Sequence, residues 1–277
     1  NNIKFNNISI DTRTIKKDSL FIALKGENFN GNKFIEKAFS SGASAVLCSN
    51  KAYKNKNNAI YVPSVRDALS KISSNIASDF QGKKILITGS NGKTSTTSIL
   101  SKSLPKCSST IRNFNNEIGL PISIMSAKKD SRYIVLEAGA AKKGDIEYLS
   151  KLVKPDIGII TNIGNSHLEK LLNLEGVFKV KSELIKNIRK GGTLIVPNDL
   201  RYLERWKKMA KGIKVLPVPN KYIATKEKFS SDGRMMNFDI IEKPAGNKKS
   251  EVIPISSSLI GKHNVQNILV CHSCLNE

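Results

Sequence analysis

The sequence predicts an α/β protein in which a small N-terminal α/β domain precedes a larger domain built on a mostly parallel sheet. Three observations carry that prediction. Short, wholly apolar runs recur along the chain, as parallel strands buried on both faces require. Segments with a 3.6-residue apolar period separate them, and turn-forming residues punctuate the joins. At 277 residues the chain is long enough for about two domains.

In the first stretch, Ser19-Leu20-Phe21-Ile22-Ala23-Leu24 and Ala43-Ser44-Ala45-Val46-Leu47 read as strands, with a helix around Phe34 to Phe39 between them. The segment Gly26 to Gly31 is a turn-rich loop. A helix from Val65 to Phe80 leads into Gln81-Gly82-Lys83-Lys84, so the boundary falls between a domain of residues 1–81 and one of residues 82–277. From there the alternation is regular. Strands are expected at Ile85–Thr88, Tyr133–Leu136, Ile157–Ile160 and Thr193–Val196. Helices are expected at Lys93–Leu104, Asp145–Val153, Glu175–Ile188 and Arg201–Ala210. Ligands of such sheets bind beyond the carboxyl ends of the strands.

Composition narrows the class. With 39% hydrophobic and 25% charged residues the chain is globular, and no apolar run approaches a bilayer span. Four scattered cysteines do not make a disulfide scaffold, and a reducing, cytoplasmic setting is expected. No charged-then-apolar leader opens the chain, so no signal peptide is expected. Forty-five basic against 23 acidic residues give a formal charge of +22. That excess admits an anionic partner or a general Lys-rich habit, and no block of like charges marks a tail. Aromatic residues make up 6% of the chain and no nucleic-acid module is visible, so no nucleic-acid partner is expected. Cys271-His272-Ser273-Cys274 is a lone CxxC without a second pair, too little for a zinc site.

The chemistry gathers where the strands end. Ile85–Thr88 runs into Gly89-Ser90-Asn91-Gly92-Lys93-Thr94-Ser95 and straight into a helix. Glycines let the backbone wrap a phosphate, and the helix start offers free N–H groups. Lys93 supplies a charge to the β/γ-phosphates and Thr94 a hydroxyl for Mg²⁺. The full pattern has a Gly where this chain has Ile87, so the loop is a shortened variant. Glu137 follows the next strand, where it is either an oxygen ligand for Mg²⁺ or a solvated residue in a tight turn. His167, one of three histidines, follows Ile157–Ile160 on the same edge, as a ligand or a structural loop residue.

In the helix after it, Val177, Val180, Leu184, Ile185 and Ile188 form an apolar face, and Lys181 lies on that face. Lys179 shares the opposite face with Glu175, Ser182, Glu183 and Lys186 and reads as solvated. A lysine at such a position snorkels to water, pairs with an opposite charge or loses its own. A neutral lysine can add CO₂ to become a carbamate, which is an oxygen ligand.

Together these segments resemble the Mur ligases, and within them the branch whose acceptor is D-alanyl-D-alanine. Asp11-Thr12-Arg13 with Asp18 to Glu27 is similar to the family's N-terminal uridine-nucleotide-binding domain. Thr88 to Ser95 is similar to its ATP loop, and Asn113 to Pro121 to the form of the following loop found in that branch. Glu137-Ala138-Gly139-Ala140, Gly144-Asp145-Ile146, Thr161 to Glu169 and Lys179 to Leu184 follow the branch closely. Gly261-Lys262-His263-Asn264-Val265-Gln266-Asn267 is similar to the adenine-side motif. One departure is Leu171-Leu172-Asn173, where the family has a Gly-Ser pair.

The resemblance implies a P-loop ATP-binding central domain and an ATP-dependent amide ligase of peptidoglycan precursor synthesis. UDP-N-acetylmuramoyl-tripeptide and D-alanyl-D-alanine would be its substrates, ATP and Mg²⁺ its cofactors, and a monomer its working form. It places Gly89, Ser90, Asn91, Gly92, Lys93, Thr94, Ser95, His263, Asn264 and Asn267 on ATP. Thr94 and Glu137 would hold one Mg²⁺, and His167 with a carbamylated Lys181 a second. Thr12 and Arg13 would contact the uridine nucleotide, and Asn115 and Asn116 the region between donor and acceptor. The family's third domain is not among these residues, so this stretch is expected to bind nucleotides without turnover. Other members of the superfamily, including folylpolyglutamate synthases, share the ATP site and differ in the acceptor.

Overall fold

The computed structural model describes residues 4–26, 29–165, 172–243 and 250–277. It divides into one unit of Asn1–Asp79 with Pro121–Ser126 and a second of Phe80–Leu120 with Ala127–Glu277.

The first unit holds a four-stranded parallel sheet of β1 (Asn7–Ser9), β2 (Ser19–Ile22), β3 (Ala43–Cys48) and β4 (Ala59–Tyr61), in that order. Helices α1 (Ile35–Ser40) and α2 (Val65–Asp79) complete the alternation. All four residues of β2 are buried, which suits the apolar run Leu20-Phe21-Ile22, and Ser19 Oγ donates to Lys16 O at 2.6 Å. Phe21, Ala23, Ile35, Ala38, Val46 and Cys48 form the core.

The second unit is built on a six-stranded parallel sheet. Its strands are β5 (Lys83–Thr88), β6 (Cys107–Ser109), β7 (Tyr133–Glu137), β8 (Ile157–Ile160), β9 (Thr193–Pro197) and β10 (Lys214–Val218), in the order β10-β9-β8-β5-β7-β6. Helices α3 (Lys93–Ser103), α5 (Asp145–Val153), α6 (Leu174–Ser182) and α7 (Leu203–Met209) belong to this unit, while α4 (Gly119–Met125), between β6 and β7 in the chain, falls mostly in the first. An antiparallel sheet of β11 (Tyr222–Phe229), β12 (Met236–Glu242) and β13 (Val252–Ser257) follows, and then α8 (Lys262–Leu275). Ile85, Ile87, Val135 and Ile159 share one core with Met236, Phe238 and Ile240 of β12 and Val265, Leu269 and Cys271 of α8.

β5 lies between β7 and β8, and the chain leaves it toward one side and leaves β8 toward the other. The carboxyl ends of these three strands therefore bracket the point where strand order reverses, the crevice that such sheets use for ligands.

The helix expected over Glu175–Ile188 is shorter than its apolar period implies. The α-helix ends at Ser182, and Glu183–Asn187 form a 3₁₀ turn. A 3₁₀ turn advances each residue further around the axis than an α-turn does. Ser182 and Glu183, expected on the solvated face beside Lys179, are both buried, Ser182 against Trp206 of α7 and Glu183, the first residue of the 3₁₀ turn, against the start of α5. Lys179 is exposed and pairs with Glu175 at 3.7 Å.

Candidate active site

The phosphate-type loop is the four-residue link from β5 to α3. Gly89 and Gly92 have φ of +149° and +80°, which side-chain-bearing residues rarely adopt. Space forbids a side chain as well: a Cβ on Gly89 would sit 1.9 Å from Thr161 Oγ1, and one on Gly92 2.5 Å from Asn267 Oδ1. The loop is held from the segment after β8. Asn91 N donates to Asn162 Oδ1 at 2.9 Å, and Asn162 Nδ2 donates back to Asn91 O at 3.1 Å. Ser90 Oγ donates to Gly164 O at 2.9 Å and accepts from Gly164 N at 3.0 Å. Thr161 Oγ1 donates to Asn91 O at 2.5 Å.

Lys93 closes the loop from inside, donating to Gly89 O at 2.8 Å and Ser90 O at 3.2 Å. Burial lowers its pKa, and the nearby Glu137 carboxylate partly restores it. Gly92, the residue before α3, has no side chain with which to cap the helix, and Thr94 and Ser95 sit in its first turn. Free amides, a positive helix end and an ammonium thus converge on one loop.

Glu137 ends β7 beside that loop with 1% of its surface exposed, so it is not the solvated turn residue that was the other possibility. Thr94 Oγ1 donates to its Oε2 at 3.2 Å. Burial raises its pKa, opposed by hydrogen bonds from Thr94 and Asn115 and by the charge of Lys93. Asn115 is held in place as Gly139 N donates to its carbonyl at 2.8 Å. Asn116 is used differently: its Oδ1 accepts from Ile118 N at 3.1 Å and Gly119 N at 2.8 Å, capping α4.

Lys181 is 1% exposed and among the largest fully buried side chains, which excludes snorkelling. Its pKa falls to about 8, first through desolvation and next through repulsion by Lys93, with Asp145 and Glu183 opposing. That repulsion places the two ammonium groups within range of each other. His167 lies outside the described residues.

An open cavity of about 620 Å³ adjoins the loop, lined by Asn91, Gly92, Thr161, Asn162, Asp199 and residues of α8 among others. Of the α8 residues, His263, Gln266 and Asn267 line it. Asn264 stands behind them: its Nδ2 donates to Ile260 O at 2.9 Å, and its Oδ1 accepts from Asn267 Nδ2 at 3.2 Å. The first unit has its own cavity of about 500 Å³, lined by Asp11, Thr12, Arg13, Phe21, Phe29, Phe34 and Lys37. There Phe29 stacks on Phe34 at 5.3 Å, and Arg13 grips Asp11 through Nε and Nη2, holding that carboxyl at about 2.

The Mur ligase middle-domain model matches residues 87–275, and the model described as Mur ligase family, catalytic domain, matches residues 4–76. The chain belongs to the Mur ligase family. It is 37% identical over 273 residues to the UDP-N-acetylmuramoyl-tripeptide–D-alanyl-D-alanine ligase of Buchnera aphidicola, covering 96% of this chain and 58% of that protein. The ligase of the same name from Bacillus subtilis is 33% identical, covering 95% and 56%. Among solved structures, MurF from Acinetobacter baumannii superposes with a TM-score of 0.83 at 28% identity, covering 98% of this chain and 59% of that one. MurF from Thermotoga maritima, solved in complex with ADP, gives 0.82 at 25% identity, covering 100% and 64%. The chain thus spans under three fifths of the length of these two curated relatives.

As a Mur ligase, the chain brings Lys93, Thr94, Glu137 and Asn115 to one rim of its central sheet, with Asn267 against the phosphate-type loop and Lys181 near enough to Lys93 for their charges to repel. Thr12 and Arg13 line the separate cavity of the first unit. Motif reading passed over Thr161 and Asn162 as loop holders, and Glu183 as a buried carboxylate. The Asn162 side chain answers to a partner 71 residues away, which no local period shows.

Proposed function

We propose that this chain carries the nucleotide-binding part of an ATP-dependent ligase that joins D-alanyl-D-alanine to UDP-N-acetylmuramoyl-tripeptide. The observation that supports it most is the meeting of Lys93, Glu137 and Lys181, each desolvated, around the loop where β5 enters α3. Two mutually repelling lysines and a buried carboxylate cost stability, a cost that makes sense if the site exists to receive anions and cations.

In this reading the tripeptide's terminal carboxylate attacks the γ-phosphorus of ATP, ADP leaves, and an acyl phosphate forms. The D-alanyl-D-alanine amine then adds to the acyl carbon, loses a proton, and inorganic phosphate departs as the amide closes. Lys93 leaves the carbonyls of Gly89 and Ser90 to steady the γ-phosphate, and the first-turn amides of α3 hold the phosphate chain. Adenine would occupy the cavity beside His263, Asn264 and Asn267, and the uridine nucleotide the aromatic cavity at Thr12 and Arg13.

The donors around Glu137 suit magnesium. They are oxygens, and no group of three or more His, Cys, Asp or Glu able to hold a metal occurs among the described residues, so phosphate oxygens would complete the shell. Thr94 and Glu137 would hold one ion, and His167 with Lys181 a second. When bound, magnesium offsets the charge that builds up as carboxylate and phosphate approach. With its pKa at about 8, Lys181 is neutral in about one molecule in ten at pH 7. The neutral amine can add CO₂ and release a proton, leaving a carbamate in place of an ammonium.

The test is phosphate release by the full-length enzyme from ATP and UDP-N-acetylmuramoyl-tripeptide. Turnover is expected with D-alanyl-D-alanine, and turnover only with a single amino acid rejects the assignment.

A further inference from the structure

We propose that Glu183 is a positioning residue that fixes the turn bearing Lys181 against the segment following Glu137. The inference rests on the reading of Lys181 and Glu137 as reaction-centre groups. The first amides of a helix need acceptors from outside it. The usual solution is local: an N-cap hydroxyl and a Glu at the third position accept each other's N–H groups. At α5 that solution is broken at both ends. The capping position is Gly144, which has no side chain, and Glu147 at the third position turns its carboxylate to Lys186 Nζ at 2.8 Å.

Glu183 supplies both missing acceptors from a distant element. Its Oε1 accepts from Gly144 N at 2.8 Å and its Oε2 from Glu147 N at 3.1 Å. The side chain is 6% exposed and meets the positive end of the helix. Asp145 extends the brace, its Oδ2 accepting from Ala141 N at 2.8 Å and Lys142 N at 2.9 Å, so the loop after Glu137 is tied to the same helix start.

The other neighbour of Lys181 is also anchored. Ser182 Oγ accepts from Trp206 Nε1 at 2.9 Å in a fully buried bond. The two residues that follow Lys181 are thus fixed to α7 and α5, and the backbone that bears the lysine cannot shift without breaking one of these contacts. An apolar residue at 183 could fill the space but would leave two amides unanswered, so the carboxylate serves geometry rather than packing alone.

Glu183→Ala and Glu183→Gln in the full-length enzyme test this beside Lys181→Ala. Glu183→Ala is expected to lower kcat about 30-fold while the KM for ATP stays within about threefold, because substrate binding is spared and alignment is lost. Glu183→Gln keeps one acceptor and the shape, and falls between. Hydrogen exchange of the amides of residues 144–147 should rise about tenfold in Glu183→Ala, with those of α3 unchanged. Faster exchange with kcat within threefold makes Glu183 a plain helix cap and overturns the inference. So does a kcat loss matched by an equal loss of ATP binding, or one without faster exchange. An impaired Lys181→Ala beside a normal Glu183→Ala removes this inference alone; an unimpaired Lys181→Ala removes the reading of Lys181 with it.

Discussion

Lys181 shows how a single residue can oppose the stability of the fold that surrounds it. Its pKa drops from 10.5 to about 8, so the unfolded chain binds more protons than the folded one between those values. Stability therefore rises with pH across that window, and below it the protonated lysine costs about 3 kcal/mol. Lys181→Met, similar in volume and uncharged, should raise the melting temperature by several degrees at pH 7 in CO₂-free buffer. The gain should shrink as the pH climbs from 8 toward 10.5, and a constant difference would mean the ammonium is not desolvated. Lys181→Ala in the full-length enzyme should cripple turnover, with partial rescue by a short carboxylate in solution, whereas Lys179→Ala should be nearly silent. An equal loss at Lys179 would contradict the burial seen here. Helix phase made the contrast between these two lysines legible in the sequence. It misplaced Ser182 and Glu183 because an apolar period does not record polar side chains buried against hydrogen-bonding partners on other helices, Trp206 for Ser182 and the start of α5 for Glu183.

The parallel strands were readable because burial on both faces demands unbroken apolar runs, as in Ile85-Leu86-Ile87 and Ile157 to Ile160. The antiparallel sheet was not, since β11 alternates with lysines and carries a register shift between Thr225 and Lys228. The glycine-bearing loop was visible as a motif, yet the element that holds its shape was not. Asn162 and Thr161 act across strands, through bonds to Asn91 that only the finished sheet brings within reach. Asn162→Ala should therefore weaken ATP binding about thirtyfold, the loss of a reciprocal pair at about 1 kcal/mol per bond, without unfolding the sheet. Calorimetric titration of the full-length enzyme with ATP checks this. Unchanged affinity would show that Lys93 and α3 fix the loop unaided.

At the scale of the molecule, the two cavities belong to separate hydrophobic cores. Phe21 lines the cavity of the first unit and is part of the core formed with Ile35 and Val46. The cavity at Asn267 is walled by Val218 and α8, both within the core that β5, β12 and α8 share. A ligand that binds only the folded form of one unit stabilises that unit, by about 2.7 kcal/mol at a hundredfold excess over Kd. ADP with magnesium should therefore protect the amides of β5, α3 and α8 from hydrogen exchange, and a uridine diphosphate sugar those of β2 and α1. Both ligands are anionic, and a formal charge of +22 favours each electrostatically, so charge alone would let either protect both units weakly. Cavity chemistry predicts the opposite: stacking surfaces at Phe29 and Phe34 in one unit, amide side chains at Asn162 and Asn267 in the other. Exchange measured with each ligand at physiological salt, where long-range attraction is screened, separates the two accounts. Protection confined to one unit per ligand supports two dedicated nucleotide sites, and diffuse protection by either ligand would reduce both cavities to features of a basic surface.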